Sequence, residues 1–93
     1  MRRPIRTVIV DDHPLVREGL NTVAELSAGL DVVGEAADGA EAVRLARLLR
    51  PDVILMDLLM PGMSGDQAIT SILAARPAQK ILILTSVDDV PRI

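Results

Sequence analysis

The sequence predicts an α/β protein, a doubly wound parallel sheet with helices on both faces. Three observations lead there. Val8-Ile9-Val10, Val53-Ile54-Leu55-Met56 and Ile81-Leu82-Ile83-Leu84 are short runs made wholly of apolar residues, which is how strands buried on both faces read. Longer segments between them carry apolar residues at helical spacing. The joining segments are short, so the order is β-α-β-α-β-α-β, and right-handed crossovers leave few ways to assemble it.

Each element has its own signals. Thr7-Val8-Ile9-Val10 is β-branched throughout and forms the first strand. Pro14 stands where a first helical turn begins, Val16, Leu20, Val23 and Ala24 recur at helical spacing, and Gly29 fits the stop. Residues 31–36 make a second, weaker strand. Asp38 with Glu41 three residues later resembles a capping arrangement, and Ala42, Leu45, Ala46 and Leu49 form a helical face that Arg50-Pro51 closes. The third strand, Val53-Ile54-Leu55-Met56, ends at Asp57, and Pro61-Gly62 marks a turn. Ser64 with Gln67 reads as a capping box for a third helix, whose face is Ala68, Ile69, Ile72 and Leu73 and which Pro77 ends. Ile81-Leu82-Ile83-Leu84 is the fourth strand, followed by Thr85-Ser86.

Bulk composition narrows the function. The 93 residues allow one small domain, 49% of them hydrophobic, which is ample for a core. The net charge of -3 and the absence of Phe, Tyr and Trp argue against nucleic-acid binding, which needs surplus cations and often stacking platforms. No cysteine is present, which removes disulfides and thiolate metal sites. The basic start, Met1-Arg2-Arg3-Pro4-Ile5-Arg6, is followed by no apolar signal core and reads as a solvated end. No apolar run reaches the roughly 18 residues of a membrane span. The expectation is a cytoplasmic protein without a membrane partner.

In an open parallel sheet, ligands bind beyond the carboxyl ends of the strands, where the strand order switches. Asp11 and Asp12 leave the first strand, Asp57 the third and Thr85 the fourth. Each alone has an ordinary structural use, as a helix cap, a solvated neighbour or a turn hydroxyl. If the first and third strands are neighbours, three carboxylates share one pocket and repel. Mg²⁺, a hard cation suited to oxygen ligands, relieves that repulsion. A metal held by carboxylates beside a carboxylate able to attack fits phosphoryl transfer through an acyl phosphate. The Thr85 hydroxyl could then sense the new group, which carries about -1.5 to -2 charges. His13, the only histidine, reads as a surface or capping residue, and Met56, Met60 and Met63 as packing residues.

Several segments in order resemble the receiver domain of two-component response regulators. They are Val-Ile-Val-Asp-Asp-His at 8–13, Val-Arg-Glu-Gly-Leu at 16–20, Val-Val-Gly-Glu-Ala-Ala-Asp-Gly at 32–39 and Ile-Leu-Ile-Leu-Thr-Ser at 81–86. The most specific is Asp-Val-Ile-Leu-Met-Asp-Leu-Leu-Met-Pro-Gly-Met-Ser-Gly at 52–65. Segments 16–20 and 32–39 resemble the NarL/FixJ-type subgroup in particular. The resemblance implies a flavodoxin-like (CheY-like) fold with strand order 2-1-3-4 for the strands present. It implies Asp57 as the acceptor of a phosphoryl group from a sensor histidine kinase. It also implies Asp11, Asp12, Asp57 and the Leu59 backbone carbonyl around Mg²⁺, and Thr85 as the switch hydroxyl. The chain itself is then a phosphoacceptor rather than an enzyme, with transcription controlled through a C-terminal DNA-binding domain outside it.

Against the family pattern, residues 1–93 correspond to the N-terminal part of a receiver domain, lacking the fourth helix onward. The family's phosphate-contacting lysine has no counterpart, since Lys80 precedes the fourth strand at the wrong end of the sheet. With no fifth strand or helix, the fourth strand is expected to be an open edge inviting self-association. Two other readings compete: an assembly module that uses no phosphorylation, and a phosphohydrolase with an aspartyl nucleophile. The second lacks the extra acid such enzymes need, because Leu58 and Leu59 follow Asp57.

Overall fold

A computed structural model describes residues 3–58 and 65–84. Four strands, β1 (Ile5–Val10), β2 (Leu30–Ala36), β3 (Val53–Asp57) and β4 (Lys80–Leu84), alternate with helices α1 (Pro14–Leu26), α2 (Gly39–Leu49) and α3 (Gly65–Ala75). All pairings are parallel, in the order β2-β1-β3-β4. The expected fold class and strand order are both met. Val10 pairs with Met56 and Asp57 with Leu84, so the ends of β1, β3 and β4 lie level with one another.

The core occupies one face of the sheet. Val8, Val10, Ala36, Ile54 and Met56 meet Ala42 and Ala46 of α2 and Ala68 and Ile72 of α3. The small residues on the helices allow close approach, and the larger strand residues fill the space between. Asp38 caps α2 as expected, accepting the Glu41 N–H at 2.8 Å. Arg50 closes α2 in the left-handed conformation, φ 46°, with its N–H on the Ala46 carbonyl. Asparagine or glycine is the usual residue there, and Pro51 behind it forbids further helix.

Elsewhere the structure departs from expectation. α1 stops at Ser27, whose N–H reaches the Ala24 carbonyl, two residues before Gly29. The Gly29 carbonyl accepts the Ile5 N–H instead, at 2.7 Å, and anchors the start of β1. Of the periodic residues of α1 only Ala24 is buried, while Val16 and Val23 are exposed. β4 is not buried on both faces: Leu82 and Ile83 are 57% and 48% exposed. Arg6 is not merely solvated, since its N–H bonds Asp52 Oδ2 and its guanidinium donates to the Arg50 carbonyl. Pro61-Gly62, Ser64, Met60 and Met63 lie outside the described residues.

Candidate metal site

Register builds the site. Since Val10 lies beside Met56, the next residue of each strand, Asp11 and Asp57, emerges at the same edge. Both are nearly inaccessible, at 4% and 3% exposure. The Asp11 N–H continues the sheet to the Ala36 carbonyl at 3.0 Å, which fixes its backbone. Asp11 Oδ1 then accepts the His13 N–H at 2.8 Å, a turn that aspartate makes readily two residues ahead. That turn sets the start of α1 at Pro14 and leaves the Asp12 side chain partly exposed, at 27%.

Asp11, Asp12, His13 and Asp57 each offer one ligand atom, and the four atoms lie within 4.8 Å of one another. The three carboxylates foreseen as neighbours therefore converge. The sequence reads His13 as a surface or capping residue. It occupies the N-cap position and its side chain is mostly exposed, yet it makes no capping bond. Its Nδ1 instead lies 2.8 Å from Asp11 Oδ1 and 3.0 Å from Asp12 Oδ1. One N–H can point at only one oxygen, and Asp11 is the hydrogen-bonded partner. Asp12 Oδ1 is consequently buried without a hydrogen bond among the described residues, despite the nearby ring. The Asp11 hydrogen bond and the Asp12 charge raise the His13 pKa above its ordinary value near 6.5.

An acceptor-only oxygen that is buried and without a donor is costly, and a cation resolves it. Carboxylate oxygens favour a hard ion such as Mg²⁺, which keeps several waters and needs few protein ligands. The donor set fits. Arg17, which sequence reasoning passed over, braces the site: its guanidinium donates to the Asp11 carbonyl and lies 3.4 Å from Glu35 Oε1 on β2. The only signal for it was its place one turn into α1. Leu59 and Thr85 lie outside the described residues, so their expected roles have no geometry here. Lys80 opens β4 beside Val53, at the far end from Asp57, as anticipated.

A parallel sheet of order 2-1-3-4 with an acidic cluster at the ends of its first and third strands is the architecture of a receiver domain. The chain belongs to the response regulator receiver domain family, whose model matches residues 7–93. It is 50% identical over 86 residues to the transcriptional regulatory protein LiaR of Bacillus subtilis (strain 168), covering 91% of this chain and 41% of that protein. It is 48% identical over 87 residues to protein-glutamate methylesterase/protein-glutamine glutaminase 3 of Myxococcus xanthus (strain DK1622), covering 94% of this chain and 24% of that one. The signal receiver domain of the response regulator NarL from Mycobacterium tuberculosis superposes with a TM-score of 0.83 at 41% identity, covering 88% of this chain and 66% of that domain. The chain thus spans well under half the length of these curated relatives. No helix among the described residues is long and apolar enough to cross a membrane.

Proposed function

We propose that the chain is the phosphoacceptor part of a response regulator, taking a phosphoryl group on Asp57 from the phosphohistidine of a sensor kinase. The observation that carries this is the convergence of Asp11, Asp12 and Asp57, with an Asp12 oxygen left without a donor. An Asp57 carboxylate oxygen attacks phosphorus, the P–O bond of an acyl phosphate forms, and the P–N bond to the kinase imidazole breaks. The leaving imidazole keeps the bond's electrons and is protonated from solvent. Asp57, at the rigid end of β3, needs little reorganisation to present that oxygen. Asp11, Asp12 and Asp57, with the Leu59 carbonyl, would hold Mg²⁺, which supplies neutralisation of phosphoryl oxygen charge. The Thr85 hydroxyl would hydrogen-bond the new phosphoryl group and convert its arrival into a shift of the chain around it.

Residues 1–93 act in this reading as a receiver part without enzymatic turnover of their own, in the cytoplasm. Output runs through a DNA-binding region outside them, as the name and 50% identity of LiaR suggest. The methylesterase relative joins a similar segment to an enzyme, so the output is the part that varies between relatives. The exposed Leu82 and Ile83 of β4 favour, as the alternative, an assembly module that acts without phosphorylation.

Incubation with Mg²⁺ and acetyl phosphate, read by intact mass, tests the reading. One phosphoryl adduct per chain is expected, requiring Mg²⁺ and absent from Asp57→Asn. A chain that binds Mg²⁺ but gains no adduct is an assembly module, and an adduct that persists in Asp57→Asn removes the acceptor assignment. Steady release of phosphate would restore the phosphohydrolase.

A further inference from the structure

We propose that the groove between α2 and α3 binds a small organic phosphate monoester in its dianionic form. The groove opens at the amino ends of the strands, across the molecule from the acidic cluster. Arg47 in the last turn of α2, Arg50 at its cap and Arg76 just beyond α3 line it, and no acidic residue does among those described. Val43, Ala46 and Ile72 form an apolar floor. The space is about 460 Å³, within the range of roughly 300–1,000 Å³ typical of small-ligand sites.

No described carboxylate balances the charge. Asp52, the acid nearest in sequence to Arg50, is engaged by Arg3 at 3.6 Å and by the Arg6 N–H at 2.8 Å. Glu41 pairs with Arg44 at 3.7 Å, and Arg47, Arg50 and Arg76 are in no ion pair with a described residue. The carboxyl ends of α2 and α3 do face these arginines, and each helix end offers about -0.5 of a charge. Two such ends against three guanidinium groups leave a surplus of about +2, which a phosphate monoester dianion matches. Arg76 Nη1 bonds Gln79 Oε1 at 3.4 Å, and Gln79 is itself held by the Pro51 and Lys80 carbonyls, so one side of the groove is built rather than loose. The apolar floor selects for an organic body over inorganic phosphate, and guanidinium planes can stack on a flat ring. Such a concentration of cations in a chain of net charge -3 also disfavours nucleic acid as the ligand, since phosphates beyond the groove would meet a net negative surface.

Amide NMR of the full 93-residue chain, titrated with phenyl phosphate, tests this. Saturable shifts are expected within residues 43–50 and 71–79, and weaker binding is expected for inorganic phosphate. Arg47→Gln and Arg76→Gln should each weaken binding about tenfold. Both side chains are exposed, so the thermal midpoint should hold. Asp57→Asn should leave binding intact, which separates this site from the phosphoacceptor. The proposal is overturned by equal affinity for phenyl phosphate and inorganic phosphate, by shifts confined to the acidic cluster, by unchanged binding in both arginine variants, or by binding of an acidic peptide without phenyl phosphate.

Discussion

His13 donates to Asp11 and lies against Asp12, so its protonated form is favoured by neighbouring carboxylates, Asp57 included, against a smaller opposing effect of desolvation. The imidazolium partly occupies the place of a cation. Its folded-state pKa lies above the unfolded one, so its contribution to stability is fully present below about pH 6.5. That contribution is lost as pH rises through the raised folded value. Because the chain has one histidine, its imidazole resonances can be followed without assignment. Without divalent ions they should titrate above the ordinary value, and saturating Mg²⁺ should lower the midpoint by neutralising Asp11 and Asp12. A midpoint at or below 6.5 without metal, or one indifferent to Mg²⁺, would contradict the geometry of the cluster. No periodicity in the sequence showed this contact, because it depends on a turn at Asp11 that aims the ring back toward the acids. The acids themselves were legible, since a strand-end position is enough to place a carboxylate at the sheet edge.

Between elements, packing distance decides what a residue can tolerate. A Cβ on Gly65, the first residue of α3, would lie 2.6 Å from Leu58 Cα and 3.0 Å from the Asp57 carbonyl oxygen. The helix start is pressed against the backbone that carries Asp57, and backbone cannot step aside. A Cβ on Gly34 of β2 would meet Leu49 Cδ1 at 2.8 Å, the far end of a side chain able to rotate. Gly65→Ala should therefore cost about 1–3 kcal/mol, as overpacking does, and slow phosphorylation of Asp57 by moving its backbone. Gly34→Ala should cost less and leave phosphorylation unchanged. Urea unfolding with acetyl phosphate labelling distinguishes them, and equal costs would show that α3 can slide away from β3. The sequence did announce the helices here, through Asp38 before α2 and Pro77 after α3. It did not announce the close approach at Gly65, because a glycine at a helix start reads equally well as a loop residue.

At the scale of the molecule, the apolar spacing of α1 and the apolar run of β4 did not by themselves fix burial, and for a common reason. Val16 and Val23 of α1 and Leu82 and Ile83 of β4 are as apolar as core residues, yet burial depends on what stands opposite, which a residue's own identity does not encode. On the face away from α2 and α3, Leu55 and Leu82 help line a largely apolar trough of about 530 Å³. It adjoins β4, last in the order β2-β1-β3-β4 among the described residues. Among the described residues β4 carries apolar residues on both sides and Lys80 alone to blunt it, the pattern of an edge that invites a second chain. A second copy pairing edge to edge about a twofold axis would satisfy both edges at once, since such an interface is self-complementary. The chain should accordingly sediment as a dimer or larger species whose fraction grows with concentration. Ile83→Lys should shift it toward monomer by placing a charge on β4, whereas Leu48→Lys, at a still more exposed apolar residue but on α2, should not. Sedimentation velocity across a concentration series decides the matter: a well-folded monomer at every concentration means the open edge is tolerated in isolation, and loss of association in both variants alike would trace it to general apolar contact.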